Sequence, residues 1–171
     1  MGNKEITRAE QHRRQRFRKN LFRWLCGVAF VVLLGLGASP FVKIGFNGTN
    51  SVDGYVFLIV KDVMPKKGEL VAFWPPENDF YQNIWFVKYM KGGAGDEVVR
   101  KGQAFYINGE YVGDAKTESK SGVALQPSKS GVIPQGYYFV WTPHADSFDS
   151  RYEQIGWIPK SSVIGRAYRI L

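Results

Sequence analysis

The stretch NIWFVKYMKGGAGDEV, residues 83–98, puts a lysine in the middle of an apolar, strand-like run. Read with period two, Lys88 shares one strand face with Ile84, Phe86 and Met90, while Trp85, Val87 and Tyr89 line the other. Both faces are apolar, so the pattern predicts a buried strand carrying an amine. Burial disfavours the ammonium and lowers its pKa, toward a neutral amine able to take a proton from a hydroxyl. The alternative is a lysine whose stem packs while its head reaches solvent.

The flanking sequence is β-like as well. Residues 55–60 (YVFLIV), 69–73 (ELVAF), 136–141 (GYYFVW) and 163–171 (VIGRAYRIL) are short runs rich in β-branched and aromatic side chains. Turn signals separate them, such as MPKKG at 64–68 and WPP at 74–76. AFYINGEYVG, residues 104–113, reads as a hairpin turning at Asn108-Gly109, a pair that tolerates the positive φ angles of a type I′ turn. Residues 114–131 are rich in Ser, Lys and Gly, and read as a mobile loop. No segment beyond residue 43 shows sustained helical periodicity, so the expected fold is mainly β, an antiparallel-sheet domain.

That domain follows a different kind of segment. Eight of the 23 basic residues and two of the 15 acidic ones fall in residues 1–23. Residues 24–42, WLCGVAFVVLLGLGASPFV, then contain no charge at all. A helix of that length spans roughly 28 Å, about the thickness of a bilayer core. The sequence therefore divides into a basic cytoplasmic segment (1–23), a transmembrane anchor (24–42) and an extracytoplasmic domain (43–171). The basic flank places the N-terminus in the cytoplasm. It also argues against a nucleic-acid arm, because a membrane span follows it. A cleavable signal peptide ending near Ser39 is the competing reading, but its polar lead is long for one.

A chain of 171 residues holds one domain with a real core. With one cysteine, Cys26, and two histidines, His12 and His144, it offers no internal disulfide and poor material for a His/Cys metal site. No motif points to a cofactor; KGGAGD lacks the Gly-Lys-Ser/Thr ending of a phosphate loop.

Ser51 lies in FNGTNSVDGYVFLIV just beyond the apolar run, and Asp96 lies eight residues after Lys88. SFDSRYEQIG, residues 147–156, follows downstream. In this order the chain resembles the serine–lysine signal peptidase I (S26) family. That family has an anchor, a nucleophilic serine, a G-D/E-hydrophobic-V-x-F strand (here GELVAF, 68–73), a lysine eight residues before an aspartate, and an S-x-D-S-R box. The short span between the last two boxes is most similar to the TraF-type peptidases of bacterial conjugative transfer. The chain departs from the family at three places. Asp53 and Gly54 stand where a proline usually follows the serine, Ala94 replaces the proline of the lysine box, and Trp141-Thr142-Pro143 replaces G-D-N.

The resemblance implies a serine endopeptidase of the bacterial inner membrane with a Ser51/Lys88 dyad and no cofactor. Its partners would be the lipid bilayer and a membrane-inserted precursor, such as a propilin, whose ends some family members join. By residue, it implies Ser51 as nucleophile and Lys88 as base, with Thr49 as a second oxyanion donor and Ser147 orienting the amine. Asp149 and Arg151 would pair to hold the box against the site. Other readings are a general signal peptidase I for exported proteins, a non-catalytic anchored β-scaffold of a secretion system, and a Ser–His–Asp hydrolase built on His144.

Overall fold

The computed structural model describes residues 2–48, 51–78 and 80–171, with side chains from His12 onward. It divides into two units, Met1–Pro40 and Phe41–Leu171. The first is a single helix, α1 (Gly2–Ala38), which continues the basic segment straight into the apolar one. Its part His12–Ala38 is long and apolar enough to cross a membrane. The expected span ran to residue 42, but the helix stops at Ala38 because Pro40 cannot donate the next helical hydrogen bond. Val42 is already strand.

In chain order the second unit contains β1 (Val42–Phe46), β2 (Val56–Lys61), β3 (Leu70–Phe73), β4 (Phe86–Gly92), β5 (Glu97–Lys101), β6 (Ala104–Ile107), β7 (Glu110–Asp114), β8 (Gly131–Val132), β9 (Tyr137–Trp141), β10 (Ile158–Pro159) and β11 (Val163–Arg169). Seven of them form a sheet in the order β1-β2-β11-β3-β4-β9-β10, and four form a second sheet in the order β7-β6-β5-β8. The pairings are antiparallel. The mainly β, antiparallel architecture with one N-terminal apolar helix is therefore the one the sequence predicted.

The lysine strand lies deep inside the larger sheet. In β4, Lys88 pairs with Val71 of β3, and Tyr89 pairs with Trp141 of β9. The strand begins three residues later than the pattern suggested. Asn83 takes a positive φ of 56°, and Ile84 is 52% exposed rather than sharing the buried face. The strand extends instead to Gly92, with Lys88, Met90 and Gly92 buried.

Asp96 closes the corner between the two sheets. Its Oδ2 accepts the Gly93 amide at 2.8 Å, Asn108 Nδ2 donates to Oδ1 at 2.6 Å, and Lys67 Nζ bonds both oxygens. Desolvation pushes the Asp96 carboxyl up, but the Gly93 amide, Lys67 and Asn108 together outweigh it and hold the group below its usual range. Beyond it the Asn108-Gly109 turn takes positive φ at both residues, 50° and 83°, as its sequence demands. Residues 114–131 are more ordered than a mobile loop. A bridge pairs Glu118 with Ala124, and Ala115 and Leu125 are buried beside Phe105 and Phe139.

Candidate functional site

Ser51 is presented by the connection from β1 to β2. Asn47 braces that connection, donating from Nδ2 to Val52 O at 2.8 Å and to Gly54 O at 3.0 Å, while its amide bonds Tyr55 O. Val52, the next residue along, is buried with Phe57, Ile59, Ala72 and Ala167. The serine thus sits on a turn fixed from below by a core side chain. Gly54, where a proline is usual, takes φ 115°, a region closed to proline. Thr49 lies outside the described residues.

Lys88 comes to this serine from the middle of β4. Its Nζ is 3.0 Å from Ser51 Oγ and 2.9 Å from Ser147 Oγ. The residue is 5% exposed and does not reach solvent as a packed-stem lysine would. Burial pushes its ammonium down to about 8; the Asp149 carboxylate pulls it back up, and the Arg151 guanidinium lowers it again.

Ser147 arrives from the segment after β9. Ser150 fastens that segment to the strand, since its amide donates to Val140 O at 3.0 Å and its Oγ accepts the Val140 amide at 2.9 Å. Asp149 and Arg151 pair as expected, in a two-pronged contact with Nε on Oδ1 and Nη2 on Oδ2, both 2.9 Å. Both are buried. The remaining guanidinium hydrogens reach Asp114 O and His144 O at 3.1 Å each, so one side chain ties three segments together. Asp149 also accepts the Thr142 and Arg151 amides. It touches Lys88 only through its field.

His144 takes no part in such a triad. Its Nδ1 accepts the Asp146 amide at 3.1 Å, while Ser51 and Ser147 both face Lys88.

An apolar cleft of about 450 Å³ opens over the serine and lysine, walled by Phe46, Phe57, Tyr81, Trp85, Phe86 and Phe148. Phe46 lines this cleft, Trp74 and Pro75 line a separate hollow, and Phe80 packs behind Phe148 with ring centroids 5.1 Å apart. Tyr81, Phe148 and Asp146 were missed as walls. Phe148 had a signal, lying inside the SFDSR box, whereas Asp146 had none.

Comparison with known proteins gives a consistent result. The signal peptidase, peptidase S26 family matches residues 18–171. A conjugal transfer protein TraF of Agrobacterium fabrum is 31% identical over 119 residues, 60% of this chain and 66% of that one. A probable conjugal transfer protein TraF of Sinorhizobium fredii is 25% identical, covering 86% of this chain and 88% of that one. A signal peptidase I of Bacillus licheniformis is 30% identical, covering 86% and 87%.

Proposed function

Because this chain belongs to the signal peptidase S26 family, we propose that it is a membrane-anchored serine endopeptidase with Ser51 as nucleophile and Lys88 as general base. The observation that carries the reading is a buried amine within 3.0 Å of one serine hydroxyl and 2.9 Å of another. In its neutral form the amine has one lone pair. Donating a hydrogen to Ser147 Oγ aims that lone pair at the Ser51 hydroxyl.

Ser51 Oγ attacks the scissile carbonyl as its proton moves to Lys88 Nζ. The ammonium then returns the proton to the leaving amine, and an acyl-enzyme on Ser51 remains. The Ser51 amide and the Thr49 hydroxyl supply the oxyanion donors. Water, or a peptide amine in a ring-closing reaction, resolves the ester.

The two TraF relatives favour a conjugative propilin as the membrane-inserted precursor, and the Bacillus relative keeps exported preproteins in view. The basic start of α1 supports a cytoplasmic N-terminus in the bacterial inner membrane, with residues 43–171 outside. A reporter fused after Leu171 is expected to behave as extracytoplasmic. Three residues, 39–41, separate the end of α1 from β1. Beyond that tether, Ser51 lies nine residues past Val42, a stretch of at most about 30 Å when fully extended, which favours substrate bonds near the membrane surface. A flexible insert of about fifteen residues belongs in that tether, because residues 42–46 are strand. It is expected to slow precursor processing and spare a soluble peptide.

The deciding experiment is mass spectrometry of the precursor made with wild-type protein, Ser51→Ala or Lys88→Arg. Loss of the mature form with both folded variants supports the dyad, since a guanidinium stays protonated. Normal processing by either would leave only a scaffold role. A mass lower by one water than the cleaved product would identify ring closure.

A further inference from the structure

Residues 114–128 wrap around the outside of the 147–152 box. Arg151 Nη1 donates to Asp114 O, and the Lys116 amide donates to Tyr152 Oη, both at 3.1 Å. Further along, the Glu153 amide reaches Gln126 O at 2.9 Å and the Ser128 amide reaches Arg151 O at 2.8 Å. Between these attachments the strap sends two ammonium groups to one carboxylate. Lys116 Nζ bonds Asp146 Oδ1, and Lys120 Nζ lies 3.1 Å from Oδ2. Lys116 foremost, and Lys120 after it, hold that carboxyl down to about 2, so it stays anionic wherever the enzyme works.

Asp146 immediately precedes Ser147, the residue bonded to the Lys88 amine. The turn between them and His144 is held from within. The Ser147 amide donates to His144 O at 3.1 Å, and Arg151 Nη2 reaches His144 O and Ser147 O at 3.1 and 3.5 Å. From without, the grip comes from the strap lysines. A hollow of about 230 Å³ between strap and box leaves the turn room to move if that grip is lost.

We propose that the strap is a positioning clamp, in which Lys116 and Lys120 grip Asp146 and so hold Ser147 Oγ against Lys88 Nζ. This rests on the Ser51–Lys88 reading above. Exposed ion pairs of this kind add little to global stability. A displacement of about 1 Å at a reacting group, in contrast, can cost orders of magnitude in rate. The clamp therefore acts on turnover rather than on folding, and Lys116 and Lys120 are positioning residues rather than catalytic ones.

The test uses the full-length protein in detergent with a soluble peptide substrate. For Lys116→Gln/Lys120→Gln, kcat is expected to fall roughly three- to tenfold, with KM and Tm nearly unchanged. Lys116→Arg/Lys120→Arg should restore kcat. Raising salt from about 0.05 to 0.5 M should slow the wild type and leave the Gln variant unaffected, because screening removes only a grip that exists. Wild-type kcat in the Gln variant overturns the clamp, as does a loss confined to KM or one matched by a large fall in Tm. Ser51→Ala and Lys88→Arg run beside it. If they still cleave, the dyad falls and the clamp with it; if they are dead while the Gln variant is normal, the clamp alone fails.

Discussion

Lys88 Nζ and Ser147 Oγ lie 2.9 Å apart, although 59 residues of chain separate them. The serine occupies one of the few directions open to a buried amine, so it determines where the amine's lone pair points. Ser147→Ala is expected to reduce kcat by about ten- to a hundredfold with little change in KM, because the amine then samples unproductive rotamers. Steady-state kinetics on a peptide substrate checks this. A rise in KM with unchanged kcat would assign Ser147 to substrate binding instead.

The lysine makes a prediction about pH. With its folded-state value near 8, the neutral base is the minor form at pH 7. The rate should rise about tenfold per pH unit up to that value and level off above it. Stability follows the same titration. In the unfolded chain the value returns to 10.5, so between about 8 and 10.5 the unfolded state binds more protons and stability rises with pH. Below 8 both states are charged, and the full cost of the buried ammonium, about 3 kcal/mol, is present. The stability of Lys88→Met relative to wild type should therefore drop by about that amount between pH 7 and pH 10.5. Urea titrations at both pH values measure it, and a difference independent of pH would refute the shift.

Asp149 and Arg151 form a buried pair that loses most when one partner is taken away. Asp149→Ala leaves an uncompensated guanidinium and is expected to cost about 3–5 kcal/mol. Arg151→Lys should also destabilise, because an ammonium cannot reproduce the two-pronged contact with Asp149 while also holding Asp114 O and His144 O. Denaturant midpoints report both. A loss under about 1 kcal/mol for either would mean that the box is held by other contacts.

Gly45 of β1 lies beneath Trp85, one wall of the cleft, so closely that a Cβ there would sit 1.9 Å from Trp85 Cη2. Gly45→Ala is expected to push the indole aside, at a cost of about 1–3 kcal/mol, and to raise KM for an apolar substrate. Adding Trp85→Leu should recover much of that stability, a coupling that a double-mutant cycle measures directly. Purely additive effects would show that the indole does not bear on the strand.

The elements legible in the sequence were those whose information is contiguous. Nineteen residues without charge specify an apolar helix, alternation marks Lys88 as a strand residue, and Asn108-Gly109 specifies its own turn. The ordered boxes pointed to the Ser51, Lys88 and Ser147 trio, though only as residues of matching type. β1 was hidden for a local reason: its one buried position is Gly45, so no apolar alternation marks it. β5 was masked in the same way by two exposed cations at its end.

Tertiary structure alone decided what the pairings bring together. Ser51 is 37 residues from Lys88, and Ser147 is 59. Their meeting depends on the register of β3, β4 and β9, and on Ser150 fastening the box to β9. The strap 114–128 looked mobile because its residues are polar one by one. It is held by a guanidinium, a tyrosine hydroxyl and a carboxylate from distant segments. Periodicity reports which way a side chain faces, since that follows from backbone geometry over a few residues. It carries no record of what lies opposite, because that is set by the packing of segments whose separation along the chain leaves no local trace.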